Sequence, residues 1–408
     1  MKNRKNTGVN IVTQKLPFKI LFENAQILDA QTNCFGSVLV CNGIIENIFK
    51  PCETIDARIP DCEIVDLKGR ALMPAMVDLH CHFRDPGYEY KEDIPSGLKA
   101  AVKGGYSYVA AMANTNPVAD SIEAVNRNNQ VAEAQGLCEF NQIAALGIGL
   151  NDEEIVDTRQ LRTCTKLFSN DGNSIFSDEF MRRALLKSKK EDFIIAVHCQ
   201  PETQLIQRDL RLLKEIGGNL HICHVSTKES IKLIRDAKQN GLKFTCEVTP
   251  HHLFSYGIDY KVNPPIGAKE DRNALIEAVR DKTIDILATD HAPHSKEDKE
   301  KGSPGISNIE TAFSMYIKTF KEHGIPLTRF CEMSSYMPAK LMGLRERIIS
   351  KRANANLIIA ELDNLYKIDR NKFISKSNNT PFDGHEVCGR VLRTYLKGVC
   401  KYDSGQAL

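Results

Sequence analysis

The sequence predicts an α/β protein built around a (β/α)8 barrel of the TIM type. Three observations carry this. Eight short apolar runs lie between residues 76 and 292, and each ends in polar residues. Between them lie stretches whose apolar residues recur every three or four positions, as an amphipathic helix requires. No glycine-rich phosphate loop follows the first run; an open doubly wound sheet would need one, and Gly87 alone does not make it. Eight strand–helix units in series give a parallel sheet that closes on itself.

In chain order the runs are 76–83, 106–112, 139–146, 163–168, 193–197, 220–225, 243–248 and 284–288. Helical patterns fall at 94–103, 122–134, 179–187, 229–237 and 273–279. Strand candidates precede the barrel at 19–22, 37–40 and 44–49, and the same texture resumes at 355–359 and 391–397. These imply a small β-sandwich domain built from both termini, residues 17–75 and 341–408, beside a barrel of residues 76–340.

A chain of 408 residues, 42% of them hydrophobic, can bury one large core and a smaller one. The net charge of +2, spread along the chain, gives no reason to expect nucleic acid or a membrane as partner. Residues 296–301 alternate in charge sign and read as a mobile surface loop. The thirteen cysteines are odd in number and irregularly spaced. Several, including Cys81, Cys199, Cys223 and Cys246, sit in apolar runs, which points to a reducing compartment. Residues 1–16 carry Lys2, Arg4 and Lys5 without an apolar stretch of signal-peptide length, and are expected to form a loose tail. With no segment of membrane-spanning length, the expectation is a soluble, cytoplasmic protein.

The ends of the runs hold the chemistry. They are His80 and His82; Asn114-Thr115-Asn116-Pro117; Gly147; Ser169-Asn170-Asp171-Gly172; His198; His224; Thr249-Pro250-His251-His252; and Asp290-His291-Ala292-Pro293-His294. Eight of the eleven histidines therefore fall on one expected barrel face, where strand ends collect catalytic groups. His80 and His82, at i and i+2 of a strand, leave the same face as Asp78 and can share a metal ion. His80, His82, Asp171, His198, His224 and Asp290 exceed the needs of one ion. They imply two, zinc by donor type with manganese or cobalt as substitutes, sharing a bridging carboxylate and an activated water. The reaction class that follows is hydrolysis or its reverse. Asp290 is the candidate proton shuttle, and Arg84 with Asn116 and His294 would anchor an anionic substrate.

The chain resembles the dihydroorotases of the amidohydrolase superfamily, in particular the monofunctional bacterial type. The resemblance runs from Asp78-Leu79-His80-Cys81-His82-Phe83-Arg84-Asp85-Pro86-Gly87 through Asn114-Thr115-Asn116-Pro117, Phe168-Ser169-Asn170-Asp171-Gly172 and His224-Val225-Ser226-Thr227-Lys228-Glu229-Ser230. It continues in Glu247-Val248-Thr249-Pro250-His251-His252, Asn263-Pro264-Pro265, Ala288-Thr289-Asp290-His291-Ala292-Pro293-His294, Glu310-Thr311-Ala312 and Asn379-Thr380-Pro381-Phe382. It implies a zinc-dependent, reversible cyclisation of N-carbamoyl-L-aspartate to L-dihydroorotate, the third step of pyrimidine biosynthesis. His80 and His82 would hold one zinc, Asp171 bridge, His198 and His224 hold the second, and Asp290 act as further ligand and general acid/base. His82, Arg84, Asn116, Asn263 and His294 would grip the substrate, with Pro304 and Gly305 on a loop closing over it.

The family usually has Leu-Arg where Ile266-Gly267 stand, Phe-Gly where Pro304-Gly305 stand, and an acidic residue beside His198 where this chain has Cys199-Gln200. Lys166 leaves a second bridging group open, a carbamylated lysine, although Ser-Asn-Asp-Gly favours Asp171. Hydantoinases, dihydropyrimidinases and allantoinases are the alternative activities, and a non-catalytic scaffold of aspartate transcarbamoylase the alternative class. A homodimer and an association with aspartate transcarbamoylase are expected by analogy alone.

Overall fold

The computed structural model describes residues 18–408 apart from 52, 54–58, 346 and 407, so the expected tail at 1–16 lies outside the described residues. Five strands open the chain: β1 (Lys19–Leu28), β2 (Asn33–Cys41), β3 (Ile44–Phe49), β4 (Cys62–Asp66) and β5 (Ala71–Pro74). Eight alternate with helices: β6 (Met76–Cys81), β7 (Tyr106–Ala111), β8 (Glu139–Gln142), β9 (Leu167–Ser169), β10 (Ile194–Val197), β11 (Leu220–Ile222), β12 (Thr245–Val248) and β13 (Ile286–Leu287). Three follow: β14 (Leu357–Lys367), β15 (Glu386–Leu396) and β16 (Val399–Asp403).

Each of the eight middle strands overlaps one of the eight apolar runs, β9 (Leu167–Ser169) only at the last two residues of its run. β6, β7 and β8 pair in parallel, as do β9 to β13. Isolated parallel bridges, Ala144 to Phe168 and Cys81 to His291, join the two sheets at both edges and complete a ring. Every residue of β6, β7 and β10 is buried, as expected of parallel strands covered on both faces. Val77, Leu79, Tyr108, Ala110, Leu167, Ile194, Ala196 and Ile286 meet in one apolar cluster with Ala339 and Leu341. The helix Met337–Met342 thus packs beneath the start of the strands and leaves their C-terminal ends free for chemistry.

Strands from the two termini share one eight-stranded sheet, ordered β16-β15-β14-β5-β1-β2-β3 with β4 on β1. Its core gathers Ile20, Phe22, Val38, Val40, Leu357, Leu392 and Tyr395. The antiparallel pairing of β5 with β14, Pro74 opposite Leu357, fastens the first part of the chain to the last. The short strands β4, β5 and β16 carry weak local signals; the helix Glu202–Ile216 is amphipathic, burying Leu205, Ile206, Leu210, Leu212 and Leu213, but starts at Pro201 with no side-chain cap.

One surface expectation is corrected. Residues 296–301 are not an irregular loop: Lys296–Glu300 is a short helix, capped by Ser295, whose hydroxyl accepts from the Asp298 amide while Asp298 returns a bond. Among the described residues no helix is long and apolar enough to cross a membrane.

Candidate active site

Asp171, just beyond the end of β9, is the hub. Its Oδ1 lies 3.5 Å from His80 Nε2, 3.4 Å from His198 Nδ1 and 3.5 Å from His224 Nε2, and its Oδ2 lies 3.5 Å from His82 Nε2. Asp290 Oδ1 stands 3.5 Å from His80 Nε2 and 3.2 Å from His82 Nε2. All six side chains named as ligands from sequence meet here, each nearly or fully buried. Three of the site's non-glycine residues, Arg84, His224 and Asp290, have left-handed backbones at φ 60°, 31° and 45°. Such strain persists only where surrounding contacts over-determine it, and it is common at functional sites.

The surrounding hydrogen bonds decide what the imidazoles can do. His80 Nδ1 donates to Glu247 Oε1 at 2.7 Å, and His82 Nδ1 donates to Asn114 Oδ1 at 2.9 Å. In the neutral rings this leaves Nε2 of each as a lone pair facing the carboxylates. Lone pair against carboxylate is repulsive unless a cation lies between them. Consistent with that, His80 Nε2 and Asp171 Oδ1 are buried without a hydrogen-bond partner. Two groups, His80–His82–Asp171 and Asp171–His198–His224, each bring their donor atoms within 4.8 Å of one another. The residues fit a divalent metal.

The electrostatics agree. Burial opposes protonation of His80, but Asp171, Glu247 and Asp290 outweigh it and raise its pKa well above the usual value. The acids that face His80 thus call for positive charge at this point, a demand that a divalent metal between the lone pair and the carboxylates also meets. Burial and Arg84 lower the pKa of His82, keeping it neutral. Burial alone would raise Asp171, yet His80, His198 and His224 hold it well below the ordinary carboxylate range.

Sequence reasoning missed the support around this cluster. Glu247, fully buried, accepts from His80 through Oε1 and from His221 Nε2 at 2.9 Å through Oε2. A carboxylate inside a buried apolar strand was the available signal. Replacing Glu247 by Gln is expected to weaken metal affinity about 10- to 100-fold, as loss of an outer partner of a metal-ligating histidine typically does. Competition against a chromophoric chelator measures this. Asp78, expected on the same face as the histidines, instead accepts from Thr289 N at 3.0 Å and Thr289 Oγ1 at 2.5 Å.

A cleft of about 190 Å³ opens onto the cluster, lined by His82, Arg84, Asn114, Asp171, His198, Asn263, Asp290, His294, Ser303, Pro304 and Gly305. Arg84 and His294 face each other, Nη2 to Nε2 at 3.2 Å, and the Asn263 amide is 3.1 Å from His198 Nε2. Burial, then Arg84 and Lys91, push His294 down to about 3. Its neutral ring is therefore free to take part in hydrogen bonds rather than repel the arginine.

The structure places Asn116 away from this group. It is exposed and absent from the cleft, its amide donating to Pro86 O at 2.9 Å; a Cβ on Gly87 would lie 2.3 Å from the Asn116 carbonyl. Asn114, two residues earlier, lines the cleft instead, because the turn folds Asn116 back onto Pro86-Gly87. Lys166 precedes β9, at the opposite end of the barrel from Asp171, and donates to Leu341 O at 3.2 Å. Of the remaining histidines at the strand ends, His251 and His252 both bond Thr249 Oγ1, and His291 Nδ1 accepts from Asn308 N. They brace the loops and stay outside the ligand groups. Ile266 is a core residue, and neither Gly267 nor Gln200 reaches the cleft.

Residues 71–400 match the amidohydrolase family. A dihydroorotase of Clostridium botulinum (strain Eklund 17B / Type B) is 36% identical over 403 residues, covering 94% of this chain and 99% of its own. One from Lactobacillus leichmannii is 37% identical, covering 86% and 92%. The chain belongs to the amidohydrolase family and, within it, to the dihydroorotases. Among solved structures, the L-hydantoinase (dihydropyrimidinase) of Arthrobacter aurescens superposes with a TM-score of 0.86 at 24% identity, covering 96% of this chain and 97% of its own. A D-hydantoinase (dihydropyrimidinase) of Thermus sp. gives 0.81 at 22%, covering 95% and 96%. At those identities the likeness concerns the fold alone. This family is metal-dependent, in keeping with the ligand groups around Asp171.

Proposed function

We infer that the chain is a dihydroorotase, interconverting N-carbamoyl-L-aspartate and L-dihydroorotate with two zinc ions held by His80, His82, Asp171, His198, His224 and Asp290. The observation that carries this beyond hydrolysis in general is the Arg84–His294 pair, in a cleft wall shared with Asn114 and Asn263 and directly beside the buried carboxylates. A guanidinium in that position suits a substrate bearing its own carboxylate, which hydantoin and dihydrouracil lack.

When bound, the metal supplies Lewis acidity toward the amide carbonyl and toward water. The chain's own residues supply orientation and proton movement. In ring closure the carbamoyl nitrogen attacks the side-chain carboxyl carbon: the new C–N bond forms, one carboxyl C–O bond breaks, and that oxygen leaves as water carrying one proton from the nitrogen and one taken up from solvent. Asp290 takes the proton released by that nitrogen and delivers it to the leaving oxygen; ring opening runs the same transfers backwards. Burial would raise the Asp290 pKa, but His80 and His82 bring it down to about 2, so its carboxylate is ionised when the substrate arrives. Arg84 and Asn263 fix the ring between this carboxylate and the loop bearing Pro304 and Gly305. At Gly305, φ is +145° and an added Cβ would meet Ala292 O at 2.5 Å and His294 Cδ2 at 2.7 Å, so a side chain there would push the loop off the cleft.

The test is to assay the purified chain with L-dihydroorotate at alkaline pH and N-carbamoyl-L-aspartate at mildly acidic pH, with hydantoin and dihydrouracil as controls. Turnover of the first pair is expected, with KM for dihydroorotate raised at least about tenfold in Arg84→Met, the size of a lost charge-assisted hydrogen bond. Opening of hydantoin or dihydrouracil with dihydroorotate untouched would sink the assignment.

A further inference from the structure

Lys299 is a charged residue beside the cleft for which the reaction above has no use. It lies on the short helix Lys296–Glu300, yet its ammonium turns inward. Nζ donates to three backbone carbonyls: Lys261 O at 2.8 Å, Ser303 O at 3.0 Å and Gly305 O at 3.0 Å. All three of its N–H donors are thereby used. The same Nζ lies 4.1 Å from the centre of the Tyr260 ring, a cation–π contact. Among the described residues Lys299 has no ion pair. Burial, with Lys261 nearby, brings its pKa down to about 8.

The carbonyls it binds belong to two chain segments, each of which contributes residues to the cleft lining. Lys261 stands two residues before Asn263, which contacts His198 and lines the cleft; Ser303 and Gly305 belong to a loop, distant in the chain, that lines it as well. Gly305 N also donates to Lys261 O at 3.1 Å, so one carbonyl receives both the loop amide and the ammonium. Asn379 Nδ2 adds a bond to Gly305 O at 3.0 Å. A surface lysine gains nothing from giving up its water shell for neutral carbonyls unless the segments it joins must be held together.

We propose that Lys299 is a positioning residue that clamps the Tyr260–Asn263 segment to the Ser303–Gly305 loop, holding the cleft wall closed before substrate arrives. Its activity arm rests on the dihydroorotase reading; its structural arm does not. Lys299→Met keeps the length and apolar stem and removes the donors. Backbone amide exchange, followed by mass spectrometry on the full chain, is expected to be about tenfold faster over residues 303–306 in this variant, because local opening follows the loss of the bonds that close it. KM for dihydroorotate is expected to rise about tenfold with kcat changed less than threefold, since the clamp acts on binding geometry rather than on the proton shuttle. Lys299→Arg should recover KM to within about threefold of the unaltered chain by restoring charged donors. Tyr260→Leu, which removes the ring beside the ammonium and leaves the donors, should shift exchange in the same direction by a smaller factor.

Unchanged exchange over 303–306 in Lys299→Met overturns the clamp whatever the activity. Faster exchange with unchanged KM overturns the role in substrate positioning. An unaltered chain that does not turn over dihydroorotate overturns the dihydroorotase reading instead, and amide exchange still judges the clamp.

Discussion

Asp290→Asn is expected to lower kcat in both directions by about 10³-fold, within the range a positioned general acid/base contributes. The change is nearly isosteric, and because Asp290 also stands among the proposed metal ligands, metal content measured beside kcat separates loss of the proton carrier from loss of the ion. An amide cannot carry the proton that passes between the substrate nitrogen and the leaving oxygen, whereas the carboxylate, kept ionised by His80 and His82 against the effect of burial, has the free lone pair to do so. The backbone should tolerate the substitution. Asp290 sits at φ 45°, a left-handed conformation that asparagine adopts more readily than most residues, and its amide bond to His80 O at 2.9 Å is untouched. Steady-state kinetics beside a thermal melt separate the outcomes. A variant that keeps its melting temperature and turns over at near-normal rate removes Asp290 from the mechanism.

Asp171→Asn is expected to abolish turnover for a different reason, the loss of bound metal. Among the described residues, Asp171 is the one side chain within 3.5 Å of all four proposed ligand histidines, His80, His82, His198 and His224. Asparagine removes its charge and places an N–H where a lone pair is needed. In the unaltered chain, zinc at about a thousand times its dissociation constant should add about 4 kcal/mol of stability through mass action, read as a rise in melting temperature. That rise should vanish in Asp171→Asn, and a chelator should erase it from the unaltered chain together with activity. Metal content by elemental analysis provides the independent check. An Asp171→Asn protein that purifies with the same metal content as the unaltered chain contradicts the ligand assignment.

Much of the architecture was legible because its signals are local. The runs that became β6 to β13 are short apolar stretches bounded by turn residues, and the helices between them announce themselves by three- and four-residue spacing and by caps such as Ser177, Ser121 and Thr227. The strands β4, β5 and β16 escaped because four or five residues hold too little periodicity to stand out, and each is fixed by partners distant in the chain. The helix Lys296–Glu300 was read as a loop because alternating charge dominates its composition; the cap between Ser295 and Asp298 and the inward turn of Lys299 are properties of the folded chain.

The site divides in the same way. The identities of the ligand histidines and of Asp171, Arg84 and Asp290 stand in motifs a few residues long, so the kind of chemistry could be named from the chain alone. Which asparagine faces the cleft could not. Asn114 and Asn116 belong to one tetrapeptide, and only the folding of the turn onto Pro86-Gly87 separates them. Nor could sequence show that Glu247 orients His80 from 167 residues away, or that His82 and Asp290, 208 apart, come within 3.2 Å. Local spacing determined the strand–helix order and the donor types, because these depend on interactions within a few residues. The meeting of those donors, their proton positions and the clamped wall were decided by closure of the ring, which alone brings the ends of its first and last strands together.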